Sequence, residues 1–400
     1  MNLSVPTNWQ KKILPEIIRP QVKEVYGKLT KDFVGGGRSL LAIPEVAVKK
    51  AEEHIKEIRK GGSEFNYLLN AVCLDNKEFT REGQKQIRKI LDWLVKINVD
   101  SVTVTVPYLL QLIKKKYPKL KVYVSTMAQV NSVERARLWE DLGANRITLA
   151  HQDVNRNFEL LKAIRKNVAC SLQLIVNNGC IYNCPFYIYH TVLLSHASQS
   201  KHSLRGFFVD YCSLYCRAKQ LCEPEYFIKN DWIRPEDIHY YEDIGYNEFK
   251  LVDREMPTER LALITDAYIK KSYNGNLLDI LGSFSSATGG SNSNQKSLSK
   301  WIKIIKYLFR PQQVNISKLY KFKNILTKVP VYINNQSLDG FLEHFFNKRC
   351  DLMSCKNCNF CNDIAKRVVS IVDEDKYRDL IKNYNSILED IVSGKMFIRK

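Results

Sequence analysis

From Val22 to Asp253 the chain repeats one unit: a short β-branched or apolar run, a turn, then an amphipathic helical segment. The runs Val22–Leu29, Phe65–Val72, Ser101–Val106, Lys121–Ser125, Arg146–Ala150, Ser171–Val176 and Glu248–Val252 read as strands, with a weaker one near Trp232–Ile233. Between them, Ala47–Arg59, Arg81–Val95, Tyr108–Lys116 and Val133–Leu142 carry apolar residues at helical spacing. Gly143 stands where a C-cap glycine would end the last of these. Short runs buried on both faces and joined by helices belong to a parallel sheet. Eight of them over about 230 residues predict a (β/α)8 TIM-like barrel. A doubly wound open sheet shares the repeat, and the strand count favours the barrel.

In such a barrel, the residues just beyond each strand line one face, and that face carries the site. Those positions hold Arg38, Asn70, Thr126, Gln129, His151, Asn177, Asn178, Arg234, Lys250 and Arg254. Arg38, His151, Asn177, Arg234, Lys250 and Arg254 are the candidate catalytic residues. Their guanidinium and ammonium groups suit a carboxylate-bearing small molecule, held by charge-assisted hydrogen bonds. Gly35-Gly36-Gly37 before Arg38 is either an anion cradle or a tight turn, and it lacks the Lys-Ser/Thr of a phosphate loop.

Eight of the eleven cysteines fall into two groups of four. Cys180 and Cys184 form a C-x3-C pair directly after Asn177-Asn178-Gly179, and Cys212 and Cys216 form a second. Four thiolates complete the ligand set of a 4Fe–4S cluster and equally of a structural zinc; the place at the barrel mouth favours iron–sulfur. Far downstream, Cys350, Cys355, Cys358 and Cys361 form a denser set. Its C-x2-C-x2-C run is shared by ferredoxin-type ligation and closely spaced zinc pairs, so a second cluster and a zinc site both remain open.

Residues 1–281 thus read as the barrel, 282–299 as a Gly/Ser/Asn-rich linker, and 300–400 as a smaller basic domain with its own four-cysteine site. The formal net charge is +19, and the excess is uneven. No acid occurs between Asp279 and Asp339, whereas Lys300–Arg310 interleaves bases with apolar residues. That composition suits a solvated surface, or docking of a polyanionic or acidic partner: RNA, an acidic peptide or an anionic surface. The N-terminus lacks a secretory signal pattern and no run approaches a membrane span, so a cytoplasmic setting with reduced thiols is expected.

The segments Val122–Thr126, Ala144–Ala150, Asn177–Cys180 and Trp232–Asp237 resemble the barrel core of the peptidase U32 (collagenase-like) family. Phe249–Arg254, Pro257–Leu261 and Ala267-Tyr268 continue the likeness. The resemblance implies a TIM-type barrel with a cysteine-bound 4Fe–4S cluster. It also implies oxygen-independent hydroxylation of RNA bases or a quinone precursor, in some members with prephenate as oxygen donor; other members were named proteases. This chain departs from the family pattern at Val252, where a carboxylate is usual, at Met127 in the Ser-Thr-Gln run, and in its C-x3-C spacing.

The same residues bear on other activities. A radical S-adenosylmethionine enzyme needs a third cysteine at position 187, which is Tyr187. A hydrolase lacks a G-x-S-x-G or H-E-x-x-H motif here. A non-catalytic scaffold that holds a cluster for a partner subunit requires only the cysteines.

Overall fold

Eight short strands pair in parallel, each with the next in sequence, and the last closes on the first. They are β1 (Asn2–Pro6), β2 (Val22–Gly27), β3 (Glu64–Leu69), β4 (Ser101–Val104), β5 (Lys121–Val124), β6 (Arg146–Thr148), β7 (Ser171–Ile175) and β8 (Glu248–Lys250). The computed structural model describes residues 1–397 except 31, 41–42, 201, 203–208, 253, 283–313 and 353. Helices Val48–Lys60, Arg81–Lys96, Pro107–Lys116, Val133–Asp141, Phe158–Asn167 and Thr258–Lys270 follow their strands, and all but Val133–Asp141, which buries Ala136 alone, bury an apolar stripe. Gly143, at φ +98°, ends the fourth of them in a conformation that side chains rarely adopt.

One expected strand is replaced by another. Trp232–Ile233 does not join the barrel; it runs past β7, where the Ile233 N–H donates to the Val176 carbonyl at 2.7 Å. The eighth strand is β1, which pairs with β2 and β8. Its Ser4 side chain hydrogen-bonds Glu24, so β1 is not the unbroken apolar run that marks a buried parallel strand.

The barrel interior is largely polar. Arg146 from β6 reaches Glu24 of β2 at 2.8 Å and Glu248 of β8 at 3.4 Å, and its guanidinium lies 4.2 Å from the Tyr123 ring centroid. Asn66 links Ser101 and Thr103, and Thr148 donates to Gln173. A buried polar network of this kind rigidifies a core when its members are paired.

The C-terminal region packs against the barrel's helices, and its apolar residues join the same core. Strands β9 (Val331–Ile333) and β10 (Val369–Ile371) pair antiparallel, flanked by helices Phe360–Val368 and Glu374–Val392. The last helix lies along helix Tyr211–Cys222, where Tyr377 donates to the Leu221 carbonyl. The C-terminal region therefore braces the helix that carries Cys212 and Cys216. The linker expected at 282–299 lies outside the described residues apart from Gly282, and so does Lys300–Arg310. Of the bases beyond it, Lys318 and Lys321 pair with Asp390 and Lys328 with Asp279. No helix among the described residues is long and apolar enough to cross a membrane.

Candidate functional site at the barrel mouth

The loops after β2, β6, β7 and β8 bring most of the candidate residues to one end. Cys180 and Cys184 lie beyond β7, and helix Tyr211–Cys222 presents Cys212 and Cys216 to them. The Cys184 and Cys216 side chains hydrogen-bond each other. That contact with Cys216 holds the Cys184 thiol down to about 6 and pushes Cys216 well up. Burial pushes Cys180 well above the ordinary thiol range, and burial raises Cys212 to about 12. Cys216 feels the charges of the other three, so the four thiols are electrostatic neighbours. Among the described residues, no three Cys, His, Asp or Glu side chains are drawn tightly enough to grip a single metal ion as they stand. The chemistry of the donor set nonetheless fits a thiolate-ligated group. Four partly shielded sulfurs are present, Asn178 donates to Cys180 Sγ at 3.3 Å, and the charge of Arg38 bears on Cys180.

Two polar clusters flank the thiols. In the first, His151 and Asp231 are both buried, with Nδ1 of the ring against the carboxylate. That contact assigns the ring proton to Nδ1 and leaves Nε2 to accept from Asn178 Nδ2 at 3.2 Å. Asn178 thus stands between His151 and Cys180. Tyr187 packs edge-on to His151, with ring centroids 6.0 Å apart.

The second cluster is cationic. Lys28, Lys250 and Arg254 are buried, and the charge of Arg254 bears on both lysines. Lys28 forms an ion pair with Asp32, which also accepts from the Tyr67 hydroxyl at 3.0 Å. Burial, with Arg146 and Arg254 adding to it, brings Lys250 down to about 8; its ammonium lies 4.1 Å from the Tyr26 ring centroid. Arg38 stands 3.7 Å from Glu255.

Two candidates are committed to structural bonds. Asn177 accepts from the Val252 N–H at 2.7 Å and donates to the carbonyls of Val252 and Ile280, so its side chain staples loops together. Arg234 is buried in a bidentate pair with Asp237, at 2.8 and 2.9 Å. Its remaining nitrogen donates to the Asn335 carbonyl and pairs with Asp339, so it ties the barrel to the C-terminal region rather than facing the mouth. The glycine run is not an open cradle: the Gly35 N–H is bound by Asp32 and the Gly36 N–H by Ser198.

Lys28, Asp32, Tyr67 and Asp231 carry no signal in the sequence that marks them as site residues. Lys28 falls inside the apolar run read as a strand, one residue past the end of β2, where a site residue belongs. Asp231 meets His151 from 80 residues away, and no local pattern announces such a pair.

A closed parallel barrel with a thiol-lined, cation-flanked mouth defines the class of protein. The chain belongs to peptidase family U32, whose profile matches residues 44–275. The uncharacterized protease MJ1657 of Methanocaldococcus jannaschii is 29% identical over 342 residues, 85% of this chain and 87% of that one. Among solved structures, the U32 peptidase Mk0906 is 23% identical, with a TM-score of 0.47 over 63% of this chain and 93% of its own. A xylose isomerase domain containing protein from Salmonella typhimurium is 10% identical, with a TM-score of 0.38 over 67% and 96%.

Proposed function

We propose that this family member carries a 4Fe–4S cluster on Cys180, Cys184, Cys212 and Cys216 and supports oxygen-independent hydroxylation, or a related modification, of an RNA, quinone-precursor or peptide acceptor. The observation that carries this reading is the convergence of four thiols with Arg38, His151, Lys250 and Arg254 at one barrel end. When bound, a cluster supplies electron transfer that side chains cannot. Arg254 and Lys250 bind a carboxylate-bearing oxygen donor, a dicarboxylate such as prephenate, by charge-assisted hydrogen bonds. The Lys28–Asp32–Tyr67 network fixes the floor beside them. His151, oriented by Asp231, accepts a proton at Nε2 when Asn178 yields that position.

A second reading, a thiol peptidase, draws support from the order Asp231, His151, Asn178, Cys180. Against it, burial and the Asp231 carboxylate both push the Cys180 thiol up, the reverse of what activates a nucleophile.

The test compares RNA bases, quinones and peptides from cells with and without the gene, grown without oxygen. A hydroxylated species lost on deletion, and lost again in Arg254→Ala, supports the proposal. Cleavage of an unstructured peptide by purified protein, abolished by Cys180→Ser, would replace it with the second reading.

A further inference from the structure

The C-terminal cysteines converge as the first four do. Cys350, Cys355, Cys358 and Cys361 line one cleft of about 430 Å³, counting its open side, together with Lys229 and His344. Cys355 is exposed and the other three are half-buried. Burial and the neighbouring thiols push Cys350 up to about 11. His344 stands 3.8 Å from Cys358 Sγ and stacks on Phe360 with ring centroids 3.6 Å apart, which walls one side of the cleft.

An independent feature stands behind one wall of this cleft, where Phe345, which lines it, also packs against a cation from the barrel. Arg156, in the loop between β6 and helix Phe158–Asn167, is only 6% exposed. Its guanidinium stacks between Trp232, Phe341 and Phe345, and Nη1 donates to the Ile228 carbonyl at 2.9 Å. Its Nε and Nη2 are buried without a hydrogen-bond partner among the described residues. A buried guanidinium with idle donors is costly unless an anion meets it. The charge of Arg156 bears on Cys350 and Cys361, and that of Lys229 on Cys361. The three rings and the Ile228 carbonyl offset part of that charge, and a metal–thiolate centre, which carries net negative charge, would offset more of it.

We infer that Cys350, Cys355, Cys358 and Cys361 hold a second 4Fe–4S cluster, and that Arg156 is the cation that would balance its charge from the barrel side. The C-x2-C-x2-C run supplies three ligands of a cubane, with Cys350 as the fourth. Four-cysteine zinc sites commonly pair two C-x2-C units across a longer loop, whereas here three of the cysteines follow in one run. The segment His151–Arg156 then runs between the two sites, with His151 linked to Cys180 through Asn178 and Arg156 behind Phe345 of the C-terminal cleft.

The test uses the full chain purified without oxygen, with folding of every variant checked by circular dichroism. Cys355→Ser with Cys358→Ser is expected to lower iron and acid-labile sulfide by about half. Cys180→Ser is expected to remove the complementary share, so failure at the barrel mouth and failure here are told apart. Unchanged iron in the double variant, or zinc lost in place of iron, overturns the inference. Arg156→Leu is expected to keep the iron and move the midpoint potential of the C-terminal cluster's paramagnetic signal downward, because a cation is lost; Arg156→Lys moves it less. If Arg156→Leu does not fold, Arg156→Lys carries the measurement alone. A potential identical to wild type in the folded variants overturns the role of Arg156.

Discussion

The thiols of Cys184 and Cys216 hydrogen-bond each other at the barrel mouth, one from the loop after β7 and the other from helix Tyr211–Cys222. Two thiols this close, one of them with depressed pKa, are set up for oxidation to a disulfide when no metal holds them apart. Metal-free protein under mild oxidation is expected to form a Cys184–Cys216 crosslink, reversed by dithiothreitol and absent in Cys216→Ser. Peptide mapping by mass spectrometry checks this, and protein with its iron in place is expected to resist the crosslink.

Lys250 and Arg254 are the cations assigned to the carboxylate of the oxygen donor. Lys250 is lowered to about 8 chiefly by burial, so its ammonium is present below that pH and lost above it. Binding of a dicarboxylate, measured by calorimetry, is expected to weaken as pH rises through about 8. In Lys250→Met the weakening is expected to vanish together with most of the affinity. Arg254→Ala is expected to abolish activity in cells while leaving the cluster's absorbance unchanged.

Arg234 is assigned to structure. Arg234→Ala leaves Asp237 buried without its partner and cuts the tie to Asn335 and Asp339. Removing one member of a buried pair costs about 3–5 kcal/mol. Urea unfolding is expected to show a loss of that order, while iron content in the surviving folded protein stays at the wild-type level.

His54 gives the fold an acid-sensitive point. It packs against Trp9 and contacts Thr7 Oγ1 through Nε2 at 2.7 Å, and burial lowers it from 6.5 to about 4. The unfolded chain therefore takes up a proton that the folded protein refuses between those values. Stability from this group is complete above about pH 6.5 and is lost as pH falls toward 4, on the order of 3 kcal/mol. His54→Gln is expected to flatten that part of the stability profile, measured by thermal melts at fixed ionic strength.

The barrel was legible because its strands are short apolar runs followed by helices with one apolar stripe, as in Ser101–Val104 and Pro107–Lys116. β1 was not, because Asn2 and Ser4 turn toward a polar interior and break the pattern. The cysteine spacing marked both thiol clusters, which depend on a few residues close in sequence. The charged residues divided by partner, which spacing does not reveal. Lys250 and Arg254 stayed at the mouth, whereas Arg234 found Asp237 three residues on and Asp339 in the C-terminal region. Arg156 gave no signal at all, since its idle donors exist only once Trp232, Phe341 and Phe345 close around it.

The most direct test of a cluster-bearing barrel mouth is the iron, sulfide and zinc content of protein purified without oxygen, compared between wild type and the Cys180→Ser, Cys184→Ser variant. The expected result is brown wild-type protein with broad absorption near about 400 nm that bleaches on reduction, and a variant that loses iron and sulfide together while keeping its fold. Colourless wild-type protein with stoichiometric zinc, or a variant that keeps all its iron and sulfide, would contradict the account.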